Sequence, residues 1–230
     1  YRQLGDWLTE LRELIKMEII WLGHSCFRLR SENLVVVTDP FPDSIGLKPD
    51  PRPATAVTIS NTHPNHSNWP EVVGEPPIFQ SPGEYEYSGI AVRGVMTPLG
   101  QGYDLATRNT AFCIQLDGLN ICHLGDINEP LTSNEIDQLL PLDILLVPVG
   151  GICTLDVERI YQTVQDLDPK VIIPMHYRIE DINVPLGPLD AFLRLTGTSD
   201  VEPLNRITLT PSNLPPNLQV TVLAPQSRPS

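Results

Sequence analysis

The sequence predicts an α/β (α+β) domain in which β-sheets are sandwiched between helices. Up to about residue 124 the chain is dominated by short apolar runs of strand length, separated by turn residues. From about residue 133 the pattern changes, and apolar residues at helical spacing alternate with buried-type strands. Strands with intervening helices in two successive blocks favour packed sheets over a barrel or a bundle.

An N-terminal extension precedes this domain. It carries apolar residues at helical spacing with charged residues between them, at Leu4, Leu8, Leu11 and Ile15. Residues 1–16 are therefore predicted to form an amphipathic helix that lies on the domain. The single domain is predicted to cover residues 17–224, and residues 225–230 are expected to form a flexible tail.

The first block begins with a meander of three strands. The strands of this meander are predicted at residues 19–22, 26–29 and 34–37. The remaining strands of the first block are predicted at residues 56–59, 78–79, 85–87, 90–95, 110–116 and 119–124. Residues 41–54, rich in Pro, Asp and Gly, are expected to form a loop that covers a surface or a cleft. Asp117-Gly118 is a strong hairpin turn, and a register centred on it sets Cys113 opposite Cys122. The four cysteines form no CxxC pair, so we expect reduced thiols.

The second block combines helices with strands. Ser133 is predicted to cap its first helix and Thr154 its second, and a third helix is expected from about Pro188 to Leu195. Buried-type strands are predicted at residues 142–147, 171–173, 207–209 and 220–223.

Composition limits the partners that we expect. The formal net charge of −13 and the absence of a Lys/Arg cluster argue against nucleic acid. No apolar run approaches the roughly 20 residues that a membrane span needs, and the N-terminus lacks a signal-peptide pattern. A cytoplasmic protein with a small-molecule substrate or ligand, and without a membrane partner, is therefore expected. The sequence carries no signal for an oligomeric state.

Four of the predicted strands end in residues that bind metals or move protons. They are followed by the loop with His63 and His66, by Asp126, by His176 and by His24. Side chains at strand ends can converge on one edge of a sandwich, where sites are usually built. Imidazoles beside a carboxylate are ligands that suit zinc, manganese or iron.

The spacing of these residues resembles a known motif. Written as Asn61-x-His63-x-Asn65-His66, the loop resembles a degenerate HxHxDH motif of the metallo-β-lactamase superfamily. Other landmarks follow in order between residues 17 and 180: MEIIWLGHSCFRL, VVVTDP, GEYEYSGIAVRGV, ICHLGD, GGICTLD and IIPMHY. The closest resemblance is to predicted Zn-dependent hydrolases that include ascorbate-6-phosphate lactonase-like proteins, with a weaker similarity to N-acylphosphatidylethanolamine-type phospholipase D. It implies a four-layer αββα sandwich, with a site at one edge of the sheets and usually two hydroxide-bridged metals.

The departures from this pattern imply fewer metals. The first metal of the family takes three His, where this chain has Asn61, His63 and the region 97–99, so that site is expected to be lost. The second takes Asp, His, Asp and His, which correspond to Asn65, His66, Asp126 and His176. Because three of these four match, we predict at most one ion, of zinc, manganese or iron, or none.

Several polar residues have competing interpretations. Asn65 cannot accept a proton as an Asp would, so two-metal hydrolysis is not expected. His24, His63 or Asp156 would then handle protons or orient the substrate. A helix cap is the preferred interpretation of Asp156, and His123 is expected to be structural. Asp39 is predicted either to support the site or to serve as a turn carboxylate.

Two functions from different classes remain open. The first is a metal-dependent hydrolase with an impaired, at most mononuclear site, acting on a small ester, lactone or phosphoester. The second is a non-catalytic ligand-binding or interaction module that has lost its metals. Nucleic-acid processing ranks last because of the negative charge.

Overall fold

Two mixed β-sheets form the framework of the computed structural model, which describes residues 16–102, 108–198 and 201–230. The predicted N-terminal helix lies outside these residues. The strands are β1 Met17–Gly23, β2 Cys26–Ser31, β3 Leu34–Thr38, β4 Ala56–Thr58, β5 Ile78–Phe79, β6 Gly83–Tyr87, β7 Ile90–Met96, β8 Thr110–Leu116, β9 Leu119–His123, β10 Ile144–Pro148, β11 Val171–Met175, β12 Ile207–Leu209 and β13 Gln219–Val220. One sheet has the order β12-β1-β2-β3-β4-β5, and the other β13-β11-β10-β9-β8-β7-β6.

Three α-helices accompany these sheets in the described part of the chain. They are α1 Ser133–Leu139, α2 Val157–Leu167 and α3 Asp190–Leu195, and two 3-10 turns cover Asp43–Ile45 and Trp69–Glu71. Helix α1 packs on β7, α2 on β10, and α3 on α2, so the helices lie on the seven-stranded sheet. None of the described helices could cross a membrane, since α2, the longest, has 11 residues.

The outer face of the six-stranded sheet is covered by loops. Phe41, Ile45 and Leu47, from the loop at residues 41–54, are buried there against strand residues such as Val37 and Val57. The prediction that this loop covers a surface is therefore confirmed. The predicted sandwich is also confirmed. In the described residues, loops rather than α-helices cover the outer face of the six-stranded sheet.

Alternation along the strands explains the core between the sheets. In β1, Met17, Ile19 and Trp21 are fully buried, whereas Glu18 and Ile20 are partly exposed. This period of two places every second side chain in the inter-sheet layer. The predicted hairpin register is also confirmed, because Cys113 pairs with Cys122 across β8 and β9, with all four cysteines present as free thiols.

Two local predictions need correction. Thr132, not Ser133, is the N-cap of α1, because its side chain and that of Glu135 form a reciprocal capping box. The N-cap of α2 is Asp156 rather than Thr154.

The C-terminal residues, for which a flexible tail is predicted, lie along the loop at residues 41–54. Their backbone is hydrogen bonded along its length: Lys48 N donates to Arg228 O at 2.8 Å, and Ser230 N donates to Gly46 O at 3.0 Å. These bonds satisfy backbone groups on both segments, which is why the tail lies along the covering loop.

Strand direction brings the chemistry to one edge. Strands β1, β3 and β4 run the same way in one sheet, and β9, β10 and β11 are parallel in the other. The residues that follow their carboxyl ends meet at one edge of the sandwich, and these residues are His24, Asp39, the 61–66 loop, Asp126 and His176.

Candidate metal centre

A cavity of about 330 Å³ opens at this edge. Its lining residues are His24, Asn61, His63, Asn65, His66, Asp126, Asn128, Cys153, His176, Val184 and Pro185. A larger depression, of about 900 Å³, lies elsewhere, and the residues that line it include no histidine or cysteine. We therefore place the candidate site in the smaller cavity, where the ligand-type side chains converge.

Asp126 lies between two imidazoles. Its Oδ2 is 2.9 Å from Nε2 of His66, and its Oδ1 is 3.4 Å from Nε2 of His176. The Asp126 side chain is 18% exposed, whereas both rings are almost completely buried. One carboxylate therefore joins two strand ends at the floor of the cavity.

Asp39 fixes the orientation of His66 from behind. Its Oδ2 lies 2.8 Å from Nδ1 of His66, and its Oδ1 accepts a hydrogen bond of 2.7 Å from the backbone N of Ser60. With Nδ1 engaged in this way, Nε2 of His66 is directed toward Asp126. Asp39 thus supports the site, as one of its two interpretations predicted, in the arrangement by which carboxylates orient metal-ligating histidines.

His24 completes a group of three buried rings. Its ring centroid is 4.8 Å from that of His66 and 4.5 Å from that of His176. The backbone holds it there, because the carbonyl of His24 accepts hydrogen bonds from Nε1 of Trp21 and the backbone N of His176, each at 3.0 Å. Nδ1 of His24, Nδ1 of His176 and Oδ1 of Asp126 are buried without a hydrogen-bond partner among the described residues.

The ionisation of these groups follows from burial and from their mutual charges. Burial lowers the pKa of His24 well below its usual value, with further lowering by His176 and His66. Burial likewise lowers the pKa of His176. Burial would also lower the pKa of His66, but Asp126 and Asp39 outweigh it and raise this pKa to about 10.

Asp126 is the anion of the cluster. Burial opposes its ionisation, yet the neighbouring His176 and His66 hold the pKa of its carboxyl well below the usual range. In the metal-free protein, these directions favour the carboxylate of Asp126, the protonated form of His66 and the neutral forms of His24 and His176.

The loop residues at the cavity mouth are engaged differently. The carboxamide oxygen of Asn61 accepts a hydrogen bond of 3.0 Å from the backbone N of His63, and its Nδ2 donates to Oγ of Ser60 at 3.3 Å. Nδ1 of His63 accepts from the backbone N of Asn65 at 3.2 Å. His63 is exposed and Asn65 half-buried. The structure therefore places Asn61, His63 and Asn65 on the cavity lining but gives the first two turn-forming hydrogen bonds.

Asp156 lies outside the cavity lining. Its Oδ1 accepts a hydrogen bond of 2.9 Å from the backbone N of Arg159, and its side chain is 56% exposed. The cap interpretation is confirmed and the catalytic one is wrong for this geometry. His123 is structural as predicted, because its Nε2 donates to Ser25 O at 2.8 Å and its Nδ1 accepts from Gly125 N.

Sequence reasoning missed Asn109. Its Oδ1 accepts a hydrogen bond of 2.9 Å from the backbone N of Asp126, and its Nδ2 donates to Leu124 O at 2.8 Å. A Cβ on Gly125 would lie 2.1 Å from that Oδ1, so only glycine allows this contact. The signal was an amide at the start of a buried strand, which could not be assigned without the sheet register.

Cys153 is the second residue that the sequence did not single out. It lines the cavity, and donor atoms of Asp126, Cys153 and His176 all lie within 4.8 Å of one another. Burial, followed by the charge of Asp126, raises the pKa of the Cys153 thiol to about 12. In the same loop, Gly150 packs closely on the backbone of His176, since a Cβ there would lie 2.1 Å from His176 O.

The fold and the site together define a class. Two packed mixed sheets with a His/Asp cluster at their shared edge are a metallo-β-lactamase-like sandwich. The family model of the β-lactamase superfamily domain matches residues 18–176, and the chain belongs to this family.

Its relatives are named as metal-dependent hydrolases. The chain is 29% identical over 209 residues to the UPF0173 metal-dependent hydrolase of Thermoplasma acidophilum, covering 79% of this chain and 92% of that protein. A UPF0173 metal-dependent hydrolase of Carboxydothermus hydrogenoformans is 26% identical, over 70% of this chain and 84% of its own.

Solved structures agree with this assignment. A protein assigned as a Zn-dependent hydrolase of the metallo-β-lactamase superfamily from Thermotoga maritima superposes with a TM-score of 0.72 at 32% identity, covering 90% of this chain and 98% of its own. A metallo hydrolase from Ignicoccus hospitalis has a TM-score of 0.62 at 18% identity, covering 84% and 98%, which is evidence for the fold. The predicted resemblance to the superfamily is confirmed.

The cluster fits a metal ion. Donor atoms of His24, His66 and His176 lie within 4.8 Å of one another. Ligands about 2.1 Å from one tetrahedral ion are roughly 3.4 Å apart, so a small closing movement would suffice. Buried donors without partners are what an ion would satisfy, and Oδ1 of Asp126 is one of them.

Proposed function

We propose that the protein is a metal-dependent hydrolase with a single ion, held by His66, Asp126 and His176. The observation that carries this proposal is the carboxylate of Asp126 between the Nε2 atoms of His66 and His176, at 2.9 and 3.4 Å. Two imidazoles and a carboxylate form a donor set for zinc, iron or manganese that leaves positions open.

Each group of the chain has a distinct part in this proposal. A bound ion would supply Lewis-acid activation of water and of the substrate's carbonyl or phosphoryl oxygen. Asp39 keeps Nε2 of His66 directed into the cavity through its hydrogen bond to Nδ1. Asn65 and His63, at the mouth, would contact the substrate rather than the ion.

The cavity indicates a small substrate. Its volume of about 330 Å³ is at the lower end of the range for small-molecule sites, about 300–1,000 Å³. The net charge of −13 disfavours a polyanion. We therefore infer that the substrate is a small ester, lactone or phosphoester. The site is impaired relative to a two-metal site, because an amide replaces the carboxylate at Asn65.

The test is a matched pair of substitutions, Asp126→Asn and Asp156→Asn. Metal-free protein is loaded with Zn²⁺, Mn²⁺ or Fe²⁺, and bound metal is measured by elemental analysis. We expect about one equivalent in the wild type and in Asp156→Asn, which keeps a capping side chain, but under a tenth in Asp126→Asn. Hydrolysis of an ester, lactone and phosphoester panel should follow the bound metal.

A non-catalytic module is the second candidate, and one observation favours it. Both ring nitrogens of His66 already contact carboxylates, Nδ1 that of Asp39 at 2.8 Å and Nε2 that of Asp126 at 2.9 Å. The hydrogen-bonding capacity of the His66 ring is therefore filled by the protein itself. A folded wild type that retains no metal after loading and hydrolyses nothing on the panel would establish this alternative, whereas turnover lost in Asp126→Asn would exclude it.

A further inference from the structure

The buried floor of the cavity contains three imidazoles, not the two that a minimal site would use. His24, His66 and His176 are each about 1% exposed, and their donor atoms form one group within 4.8 Å. The function proposed above leaves His24 without a part. Its ring nevertheless lies closer to that of His176, at 4.5 Å, than the ring of His66 does, at 5.8 Å.

We propose that His24 is a third imidazole ligand of the same ion, so that the site is His24, His66, His176 and Asp126. This inference rests on the proposed function, since it assigns a ligand to that ion. It assigns His24 to the metal rather than to proton transfer or to the substrate.

The backbone around His24 is fixed in a way that suits a ligand. His24 begins the β1–β2 turn in a left-handed conformation, with φ of +51°, which a non-glycine residue adopts at a cost. Its carbonyl accepts a hydrogen bond from the backbone N of His176, so the two residues are tied together where their rings meet. His176 has the same backbone geometry, with φ of +53°. A strained backbone that places two rings against each other is typical of a functional site.

One ring nitrogen of His24 lacks a hydrogen-bond partner. Nδ1 of His24 is buried and makes no hydrogen bond among the described residues. A buried polar nitrogen without a partner lowers stability, and coordination would compensate for this.

The exposed His63 shows the contrast, because its Nδ1 is already occupied by the backbone N of Asn65. A ring that met the substrate would be expected at the mouth beside His63 rather than at the floor.

The resulting donor set has chemical consequences. Three imidazoles and one carboxylate favour zinc, iron or cobalt over magnesium or calcium, which prefer oxygen ligands. With four protein donors, a water would join only if the ion expanded to five-coordination, as catalytic zinc sites sometimes do in the transition state. A mixed N₃O set should therefore give a cobalt(II) spectrum that depends on His24.

The experiment uses the full chain with His24→Gly and, as matched control, His63→Gly. Glycine adopts the positive φ at residue 24 without strain and leaves a gap of imidazole size. Zn²⁺ affinity is measured by competition with a chromophoric chelator, and the visible spectrum of the Co²⁺-loaded protein reports the coordination. Thermal unfolding of the metal-free variants verifies that each one folds.

We expect His24→Gly to lower the Zn²⁺ affinity by about a hundredfold or more, beyond the effect of losing an orienting partner. Added imidazole should restore both the affinity and the Co²⁺ spectrum, while His63→Gly keeps wild-type values. Unchanged affinity and spectrum in His24→Gly would overturn the ligand assignment and leave the proposed function standing. Weakened binding without imidazole rescue would also overturn it, by making His24 a positioning residue. A folded wild type that binds no Zn²⁺ or Co²⁺ would overturn both proposals.

Discussion

The floor and the mouth of the cavity contain the same kinds of side chain but use them differently. At the floor, His24, His176 and Asp126 present buried atoms that lack hydrogen-bond partners among the described residues. At the mouth, Asn61 bonds to the backbone N of His63 and to Oγ of Ser60, and Nδ1 of His63 accepts from the backbone N of Asn65. Residue type alone therefore does not identify a ligand. What separates the two regions is the partner of each polar atom. At the floor the atoms are unpaired or, as at Nε2 of His66, engaged with another side chain of the cluster, whereas at the mouth they bond within their own loop.

The largest effect on the floor is expected from a change at Asp39, the carboxylate behind His66. Asp39→Asn replaces a carboxyl acceptor for Nδ1 of His66 with an amide, so the orientation and basicity of the ring would weaken. We expect metal affinity to fall by about 10- to 100-fold, measured by chelator competition.

The control for Asp39→Asn is Asp43→Asn, an acidic residue of the same loop that does not line the cavity. Equal affinities for the two variants would contradict the role of Asp39. Because Asp39 also accepts from Ser60 N, the unfolding free energy of both variants must be compared in the metal-free state.

The floor should also control how the stability of the metal-free protein depends on pH. The pKa values of His24 and His176 are lowered in the folded state, so below about pH 6.5 the unfolded chain binds more protons and stability decreases as the pH is lowered. The pKa of His66 is raised to about 10, so between about pH 6.5 and 10 the folded state binds more protons and stability falls as pH rises.

These opposite slopes predict a maximum of stability near pH 6.5. Each uncompensated proton contributes a slope of at most about 1.4 kcal/mol per pH unit. Urea unfolding of the metal-free protein from pH 5 to 9 measures it. In His24→Gly the acid slope should become shallower, while the basic slope persists. A monotonic rise in stability from pH 5 to 9 would contradict the ionisation that we assign to His66.

The pattern of ligand-type side chains after predicted strands pointed to the floor from the sequence. His24, His66, Asp126 and His176 each follow a short apolar strand, and the structure brings these four together. The rule works because strands of one direction end at one edge, which fixes position without reference to side-chain contacts. The strands themselves were predictable because apolar runs and turn residues are local signals.

Other features depend on contacts that no local pattern encodes. Asn109 precedes Asp126 by 17 residues and meets it only through the register of β8 and β9. The hydrogen bonds of the C-terminal residues with the covering loop join segments about 180 residues apart, such as Lys48 and Arg228. The carboxamide of Asn61 reads as a weak ligand in the sequence, and only the loop geometry shows that it accepts from His63 N.

The smallest expected effect concerns the mouth, and it tests whether residues there contribute to metal binding. Asn61→Ala removes the acceptor for His63 N and the donor to Ser60 Oγ, both at a residue only 5% exposed. We expect a loss of about 1 kcal/mol in unfolding free energy, because one buried hydrogen-bonding group is left without its partner. Metal affinity should stay within about twofold of the wild type, since the floor donors are untouched.

Asn61→Asp is the control, because a carboxylate can accept the same backbone N–H and keep the turn. Chemical unfolding and chelator competition on the same samples separate the two effects. If Asn61→Ala loses as much free energy of metal binding as it loses free energy of unfolding, the mouth is part of the metal site. The distinction between floor and mouth would then fail.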